Sequence, residues 1–477
     1  MENTQELGEF GKAVLAQEAR TENNMKAYAS SLDSCVDLFF KIGASRGKNI
    51  IPDFMKAFVE DKDLAVRIAL WSRDVRGGAG ERKIFRDIIA HLCSTNQEVA
   101  QKLVHMVPEL GRWDDMFSFT GEARKVAFGK IAAALNSGNG LCAKWMPRKG
   151  PEAAELRNSM LMSPKAYRKL LVGLTQVVET PMCANNWDSI EFEHVPSVAS
   201  ARYRKTFEKH TPVKFKEFVT AALKGDVKIN AGAVYPYDVI KGFPRWDSAS
   251  LSEDEQNHII AQWNNLPNYV GDAVILPMVD VSGSMHCEVG DGRVRTKLTC
   301  VEVAVGLGLY LADKNTGPLK DIFMTFSAKP SLELLRGNVV QKVMQLKNAH
   351  WSMNTDLNSA FETLLNVAVS NKIPADKMPK MILILSDMQF DQCAEYDDSA
   401  MEMIRRKYKQ SGYGMPAIVF WNLNARDNMP ARADEHGVVL VSGFSPIIVK
   451  SILSANFTHI SPKMVMLEAI TNPRYDW

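Results

Sequence analysis

From about residue 266 onward, short apolar runs alternate with helical patterns, and this alternation limits the fold more than any other feature of the chain. The runs are 273–279, 321–327 (DIFMTFS), 380–385 (KMILIL), 417–422 (AIVFWN) and 437–442 (GVVLVS). Between and after them, helical periodicity occupies 296–313, 338–348, 356–370, 398–411 and 445–454. A strand that is apolar at successive positions must be covered on both faces, and a parallel neighbour needs a crossover, usually a helix. The pattern predicts a doubly wound α/β domain with a mostly parallel sheet. In such sheets a ligand site lies beyond the carboxyl ends of the strands.

The first 265 residues follow a different rule. Apolar residues recur at i, i+3, i+4 and i+7 over 25–42, 51–60, 61–74, 80–92, 96–107, 121–136, 164–178 and 211–224, which is the signal of amphipathic helices. The stripe in 25–42 is Met25, Tyr28, Leu32, Cys35 and Phe39; in 80–92 it is Ile84, Phe85, Ile88, Ile89 and Leu92. Helices of this length on short connectors imply an all-α, HEAT-like helical-repeat domain, possible as a ring. A chain of 477 residues is long enough for two or three domains. The expected partition is an N-terminal extension 1–24, a helical domain 25–265 and an α/β domain 266–477. Residues 241–266 read as a turn, an acidic helix start and a short helix instead of a linker. The ends, 1–20 and 470–477, are expected to be loosely ordered.

Composition narrows the class. No run of 18 apolar residues occurs, so no membrane-spanning helix is expected, and the polar start lacks the basic and apolar regions of a signal peptide. Seven cysteines (35, 93, 142, 183, 287, 300, 393) are scattered without a CxxC pair. That usage fits reduced thiols and a cytoplasmic location. Net charge is +2, but residues 1–250 hold 36 basic against 30 acidic side chains, and the remainder 21 against 25. The basic excess therefore sits in the helical half.

The run before residue 280 continues into MVDVSGSM, residues 278–285. Asp280, Ser282 and Ser284 leave one strand end on one turn, which Gly283 is expected to bend sharply. One carboxylate and two hydroxyls are hard oxygen donors of the kind that Mg²⁺, or another divalent cation such as Mn²⁺ or Ca²⁺, accepts. Three donors do not fill an octahedron. Thr355, in WSMNTDLNSAF, and Asp387, at the strand end LSDMQFD, are the candidates to complete it. Taken alone, Thr355 also reads as a helix N-cap, with Asp356 as a competitor.

A DxSxS turn, a threonine about 75 residues on and a strand-end aspartate about 30 beyond resemble a von Willebrand factor A domain, a Rossmann-like fold, with its metal-ion-dependent adhesion site (MIDAS). The resemblance implies that Ser282, Ser284 and Thr355 touch the metal and that Asp280 and Asp387 hold it mainly through water. One coordination position would stay open for an acidic oxygen of a partner protein. In the helical half, WSRDVRGGAGERKIFRDII (71–89) lacks the strand and the Lys-Ser/Thr of a nucleotide loop and reads as a turn between helices. The string resembles the TROVE module of the Ro ribonucleoprotein family, in which helical repeats precede a von Willebrand A domain. AKWMPRK (143–149), YRKLL (167–171), MCANNWDSIEFEHVPSVASARYRKTF (182–207) and INAGAVYP (229–236) look closer to a TROVE-like branch found in plants, protists and phages. The resemblance spans about 25–460.

By that resemblance the helical half would bind small noncoding or misfolded RNA. Three clusters join cations to aromatics: Lys144, Arg148 and Lys149 with Trp145; Lys165, Arg168 and Lys169 with Tyr167; Arg202, Arg204 and Lys205 with Tyr203. Cations neutralise phosphates and rings stack on unpaired bases, although each cluster also fits a solvated helix face whose aromatic enters the core. Trp113, Asp114 and Asp115 read as packing and capping, and His194 as a loop or core histidine. The expected function is a Ro-like RNA-binding scaffold whose A domain docks a partner through the metal. The alternative is a metal-dependent protein–protein module without RNA. An enzyme is not expected: a metal-dependent hydrolase would need a second metal cluster or a placed general base, and neither is visible.

Overall fold

The computed structural model describes residues 18–232, 234–241, 251–289, 298–326, 329–347, 355–392, 397–454 and 460–477. Within them lie eight strands: β1 (Glu18–Arg20), β2 (Lys26–Tyr28), β3 (Ile275–Asp280), β4 (Ile322–Phe326), β5 (Ser331–Leu334), β6 (Met381–Ser386), β7 (Ala417–Asn422) and β8 (Val438–Ser442). β1 and β2 form a hairpin, and the other six form one sheet in the order β5-β4-β3-β6-β7-β8. β4, β3, β6, β7 and β8 run parallel, and β5 joins the edge antiparallel to β4. Every residue of β3, β6 and β8 is buried. Since successive side chains point to opposite faces, both faces of this sheet are covered, as the apolar runs require. β5 has no counterpart among the expected strands, because four half-exposed residues make a weak apolar signal.

By packing, the described residues divide into two units. One holds those of Met1–Ile68, Tyr235–Leu251 and Pro267–Thr471; the other holds those of Ala69–Val234, Ser252–Leu266 and Asn472–Trp477. The linear partition into 1–24, 25–265 and 266–477 is corrected accordingly, with residues 1–17 outside the described set. Residues 18–68 pack with the sheet. The helix Ser34–Ile42 lies on β8, where Ser442 Oγ donates to the Phe39 carbonyl (2.8 Å) and Asn422 Nδ2 to that of Phe40 (3.1 Å). The expected helix 25–42 is likewise shortened. Lys26–Tyr28 is strand, Leu32 takes φ +71°, and Asp33 starts the helix by accepting from the amides of Cys35 and Val36. A side-chain cap of this kind satisfies otherwise orphaned amides and sets the helix start.

The second unit is helical, as its periodicity requires. Its core includes Ile190, Phe192, Val195, Phe207, Phe215 and Val219. The RDVRGGAGER segment is structural. Asp74 is fully buried and takes Arg474 Nε at 2.5 Å, Arg474 Nη2 at 3.1 Å and Tyr475 Oη at 3.1 Å. A Cβ on Gly78 would stand 1.9 Å from the Trp71 carbonyl oxygen. Asp115, also fully buried, takes Arg73 Nε at 2.8 Å, Arg86 Nε at 2.6 Å and the Arg112 amide at 2.8 Å. Buried carboxylates need this degree of pairing. The expected looseness of 470–477 is corrected by the same contacts, since Tyr475 is buried. Among the described residues no helix is long and apolar enough to cross a membrane.

Gly43, at the end of the helix on β8, marks the closest approach of helix to sheet: a Cβ there would lie 2.3 Å from the Ser442 carbonyl oxygen. Gly43→Ala is expected to destabilise the protein by about 1–3 kcal/mol through overpacking. Gly173→Ala, inside the helix Pro164–Leu174 with open space around the site, is expected to be neutral or to add about 0.5–1 kcal/mol. Urea midpoints of the two variants check the contrast.

Candidate metal centre

The strand order changes direction between β3 and β6. β3 is followed by β4 on one side, whereas β6, β7 and β8 extend on the other. Such a switch opens a crevice at the carboxyl ends of the two central strands. β3 and β6 pair in register through Val279↔Leu385, so their ends come out side by side. Asp280 is the last residue of β3, and Asp387 follows the last residue of β6. Both are 0% exposed.

Asp280 Oδ1 accepts from the Ser282 amide at 2.9 Å, and Oδ2 from Ser386 Oγ at 2.6 Å. Asp387 Oδ1 accepts from the Gln389 amide at 3.3 Å, while Oδ2 is buried without a hydrogen-bond partner among the described residues, with Arg426 Nη2 at 3.8 Å. Ser282 Oγ and Ser284 Oγ are 3.1 Å apart, and Ser284 stands near enough to the Asp387 carboxyl to oppose the rise in its pKa. The sharp turn after β6 is made at Met388, with φ +65°. The turn after β3 is a 3-10 turn, Gly283–His286, and Gly283 is outside the left-handed region. The expectation that glycine freedom makes this bend is therefore corrected.

Asp280, Ser282, Ser284 and Asp387 thus meet at one point. Thr355 is 1% exposed and is held on the loop beyond β6: its amide donates to Asp391 Oδ2 (3.0 Å) and its carbonyl accepts from the Asp391 amide (3.0 Å). Asp356, not Thr355, caps the helix Leu357–Ser370. Residues 351–354 of the same motif lie outside the described residues.

Burial, and then the charge of Asp387, push the Asp280 carboxyl up to about 7, while the bonds from Ser386 and Ser282 pull against them. Burial raises Asp387 also, opposed by Arg426. Two adjacent buried carboxylates, one with an orphaned oxygen, form a site that a cation would stabilise. The donors are all hard oxygens. Among the described residues no cluster of three His, Cys, Asp or Glu side chains could hold a metal. Two carboxylates with neutral hydroxyls fit a small divalent ion that retains water.

Five further residues shape this rim without any sign in the motif. Ser386 fixes Asp280 and also accepts from the Met388 amide at 3.0 Å. Arg426 reaches Asp387 and donates to Glu22 at 2.6 Å. Gln389 Oε1 accepts from the Glu22 amide at 2.6 Å. Thr21 Oγ1 donates to the Phe390 carbonyl at 2.6 Å. Ser386, next to Asp387, could have been found as a strand-end hydroxyl. Arg426, Glu22 and Thr21 come from segments remote in sequence and carry no local signal.

The nine basic residues behave differently. Arg148, Lys149, Lys165, Arg168, Lys169, Arg202 and Lys205 are exposed, whereas Lys144 and Arg204 are half-buried. Arg204 and Lys205 face Glu255 at 3.8 and 3.4 Å. Their aromatic neighbours are not open platforms. Tyr167 is buried, Tyr203 packs on the Phe207 core and donates to Glu179 at 3.0 Å, and the Arg112 guanidinium lies 3.6 Å over Trp145. Of the two readings of these clusters, the rings follow the one in which the aromatic belongs to the fold. His194, exposed and 2.7 Å from Glu191, ends the short 3-10 helix Phe192–His194 and is neither a loop nor a core histidine.

The fold and this rim define a two-unit protein: a helical half, and a doubly wound α/β half with an oxygen-donor cluster at its switch point. Comparison with known proteins finds similarity along most of the chain. Residues 275–469 match a domain of unknown function, DUF7788, and residues 21–97 and 131–273 match another, DUF2828. An uncharacterized protein of Acanthamoeba polyphaga mimivirus is 29% identical over 520 aligned positions, covering 95% of this chain and 88% of that protein. Among solved structures, the Ro (RSR) protein of Deinococcus radiodurans overlays with a TM-score of 0.48 at 12% identity, over 92% of this chain and 99% of that one.

Asp280 generates a pH test. Its folded carboxyl, at about 7, binds a proton more tightly than the ordinary value of 3.8. Its contribution to the metal-free protein is therefore fully present below about pH 4 and is lost as pH rises through about 7. In EDTA at pH 8, Asp280→Asn is expected to melt a few degrees above wild type. Mg²⁺ is expected to raise the melting temperature of wild type and not of the variant. Thermal unfolding with and without Mg²⁺ measures both.

Proposed function

We propose that the protein is a binding scaffold, not an enzyme, whose α/β half docks an acidic group of a partner protein through a divalent cation. The observation that carries the reading is the buried Asp280–Asp387 pair with the Ser282 and Ser284 hydroxyls beside it. Ser282 and Ser284 would supply neutral oxygen to the ion, and the two carboxylates, already holding hydrogen bonds, would orient its water. Thr355, held by its backbone against Asp391, would supply a further hydroxyl. A cation ligated largely by neutral oxygens keeps its pull on an outside carboxylate. Ser386 and Gln389 hold the two aspartate-bearing turns in place.

For the helical half we propose RNA binding by phosphate contact. The sequence resemblance to the TROVE module motivates it, and the exposed Arg148, Lys149, Lys165, Arg168, Lys169, Arg202 and Lys205 support it. Because the neighbouring rings are engaged in packing, recognition rests on charge more than on stacking.

Two measurements check these readings. Partners captured from lysate in Mg²⁺ are expected to be released by EDTA and missing with Asp280→Ala; a partner set that survives both treatments removes the metal as the recognition element. Filter binding of RNA hairpins and single strands is expected to weaken steeply with salt. Replacing Arg148, Lys149, Arg168 and Lys169 together by Ala should reduce the slope of log affinity against log salt by about 3. Absence of binding at about 50 mM salt leaves the protein–protein module without RNA.

A further inference from the structure

Cys287 and Cys300 stand apart from the other described cysteines because they face each other. Their sulfurs are 3.3 Å apart. The backbone fixes that approach. The Cys300 amide donates to the Cys287 carbonyl at 3.1 Å, the Val289 amide donates to the Leu298 carbonyl at 2.7 Å, and Glu288 bridges Thr299 antiparallel. The two cysteines are therefore directly opposite on a short antiparallel pairing. Opposed residues of such a pairing have Cα atoms about 4.5–5.5 Å apart, inside the roughly 4.4–6.8 Å that a disulfide spans. Bond formation needs the sulfurs to close by a little over about 1 Å, to the ~2.05 Å of an S–S bond.

The two sulfurs are also unequal in access. Cys300 is fully buried at the start of the helix Cys300–Lys314, while Cys287 is only half-buried. Both are held by the loop after β7: Asn424 Nδ2 donates to Cys287 Sγ at 3.3 Å, and Cys300 Sγ donates to the Leu423 carbonyl at 3.4 Å. Only Cys287 can meet an outside reagent, and only Cys300 is placed to complete a reaction begun there.

We propose that Cys287 and Cys300 are a redox-active dithiol, a site of reversible modification by exchange with a small-molecule disulfide. The Cys287 thiolate, its proton lost to solvent, attacks one sulfur of the reagent R–S–S–R. The reagent's S–S bond breaks and the first RS⁻ leaves, giving a mixed disulfide on Cys287. Cys300 then gives up its proton and attacks Cys287 Sγ, expelling the second RS⁻. Two protein thiols are oxidised to one disulfide, and one R–S–S–R is reduced to two RSH, which take up the two protons. The pair does not depend on a metal. Its position gives it a consequence for the proposed cation site, however, because the Cys287 amide donates to the Ser284 carbonyl at 3.3 Å. Oxidation would fasten the serine-bearing turn to the first turn of the helix behind it.

The test uses the full chain under native conditions with glutathione disulfide as the reagent, followed by alkylation and peptide mapping. The expected product is one intrachain Cys287–Cys300 cross-link, reversed by dithiothreitol, while buried Cys35, Cys93 and Cys142 stay free and exposed Cys183 takes at most a glutathione adduct. Cys300→Ser is expected to stop at a glutathione adduct on Cys287. Cys287→Ser is expected to slow modification of Cys300 by roughly tenfold or more, since a buried thiol is inert. Absence of the cross-link in the folded wild type overturns the proposal. So does glutathione uptake by Cys300 in Cys287→Ser at the wild-type rate.

Discussion

Two carboxylates forced together out of water are the constraint around which the α/β half is arranged. Parallel pairing of β3 with β6 brings Asp280 and Asp387 to adjoining strand ends, and the covering layers leave them 0% exposed. In a medium of low dielectric, burial raises the proton affinity of both, and the charge of Asp387 adds to that of Asp280. The surrounding groups answer that cost in part: two hydrogen bonds to Asp280, an amide to one oxygen of Asp387, and a guanidinium 3.8 Å from the other. Among the described residues, one oxygen of Asp387 has no hydrogen-bond partner.

The segment that precedes the helical half in the chain takes part in the same rim. Thr21 and Asn23 donate to carbonyls of the 389–390 turn, and Gln392 donates back to Asn23. Glu22 then accepts from Arg426, the residue nearest the orphaned oxygen of Asp387. Residues 18–68 therefore do more than extend the fold: they brace the turn that carries one of the two aspartates. In the helical half the same physical theme recurs with both oxygens of each carboxylate paired. Asp74 and Asp115 are as deeply buried, but arginines and amides surround each of them. The glycines beside them serve close packing, as at Gly78, where any side chain would collide with Trp71.

Much of the candidate site was legible in MVDVSGSM and LSDMQFD because the chemistry is local to strand ends. A run of apolar residues announces a buried strand, and the first polar residues after it must stand at its rim. Arg426 and Gln389 were not legible in this way, since what qualifies them is their nearness to residues hundreds of positions or one turn away. The cationic clusters show the opposite failure. Lys and Arg beside Trp or Tyr look alike in a string whether the ring is free or packed, and only the fold shows Tyr167 in the core and Trp145 under Arg112.

By itself, the sequence determined the class of each half, because periods of 2 and 3.6 residues and the placement of Asp, Ser and Gly are set by local geometry. It determined the positions of the buried strands to within a residue or two, and the aspartates at two of their ends. The tertiary structure decided what depends on distant partners: that residues 18–68 belong with the sheet, that Asp74 is closed over by Arg474 and Tyr475, and that Cys287 faces Cys300. The reason is that a pairing's free energy depends on distance in space, and chain order carries that distance only within a helical turn or a single strand.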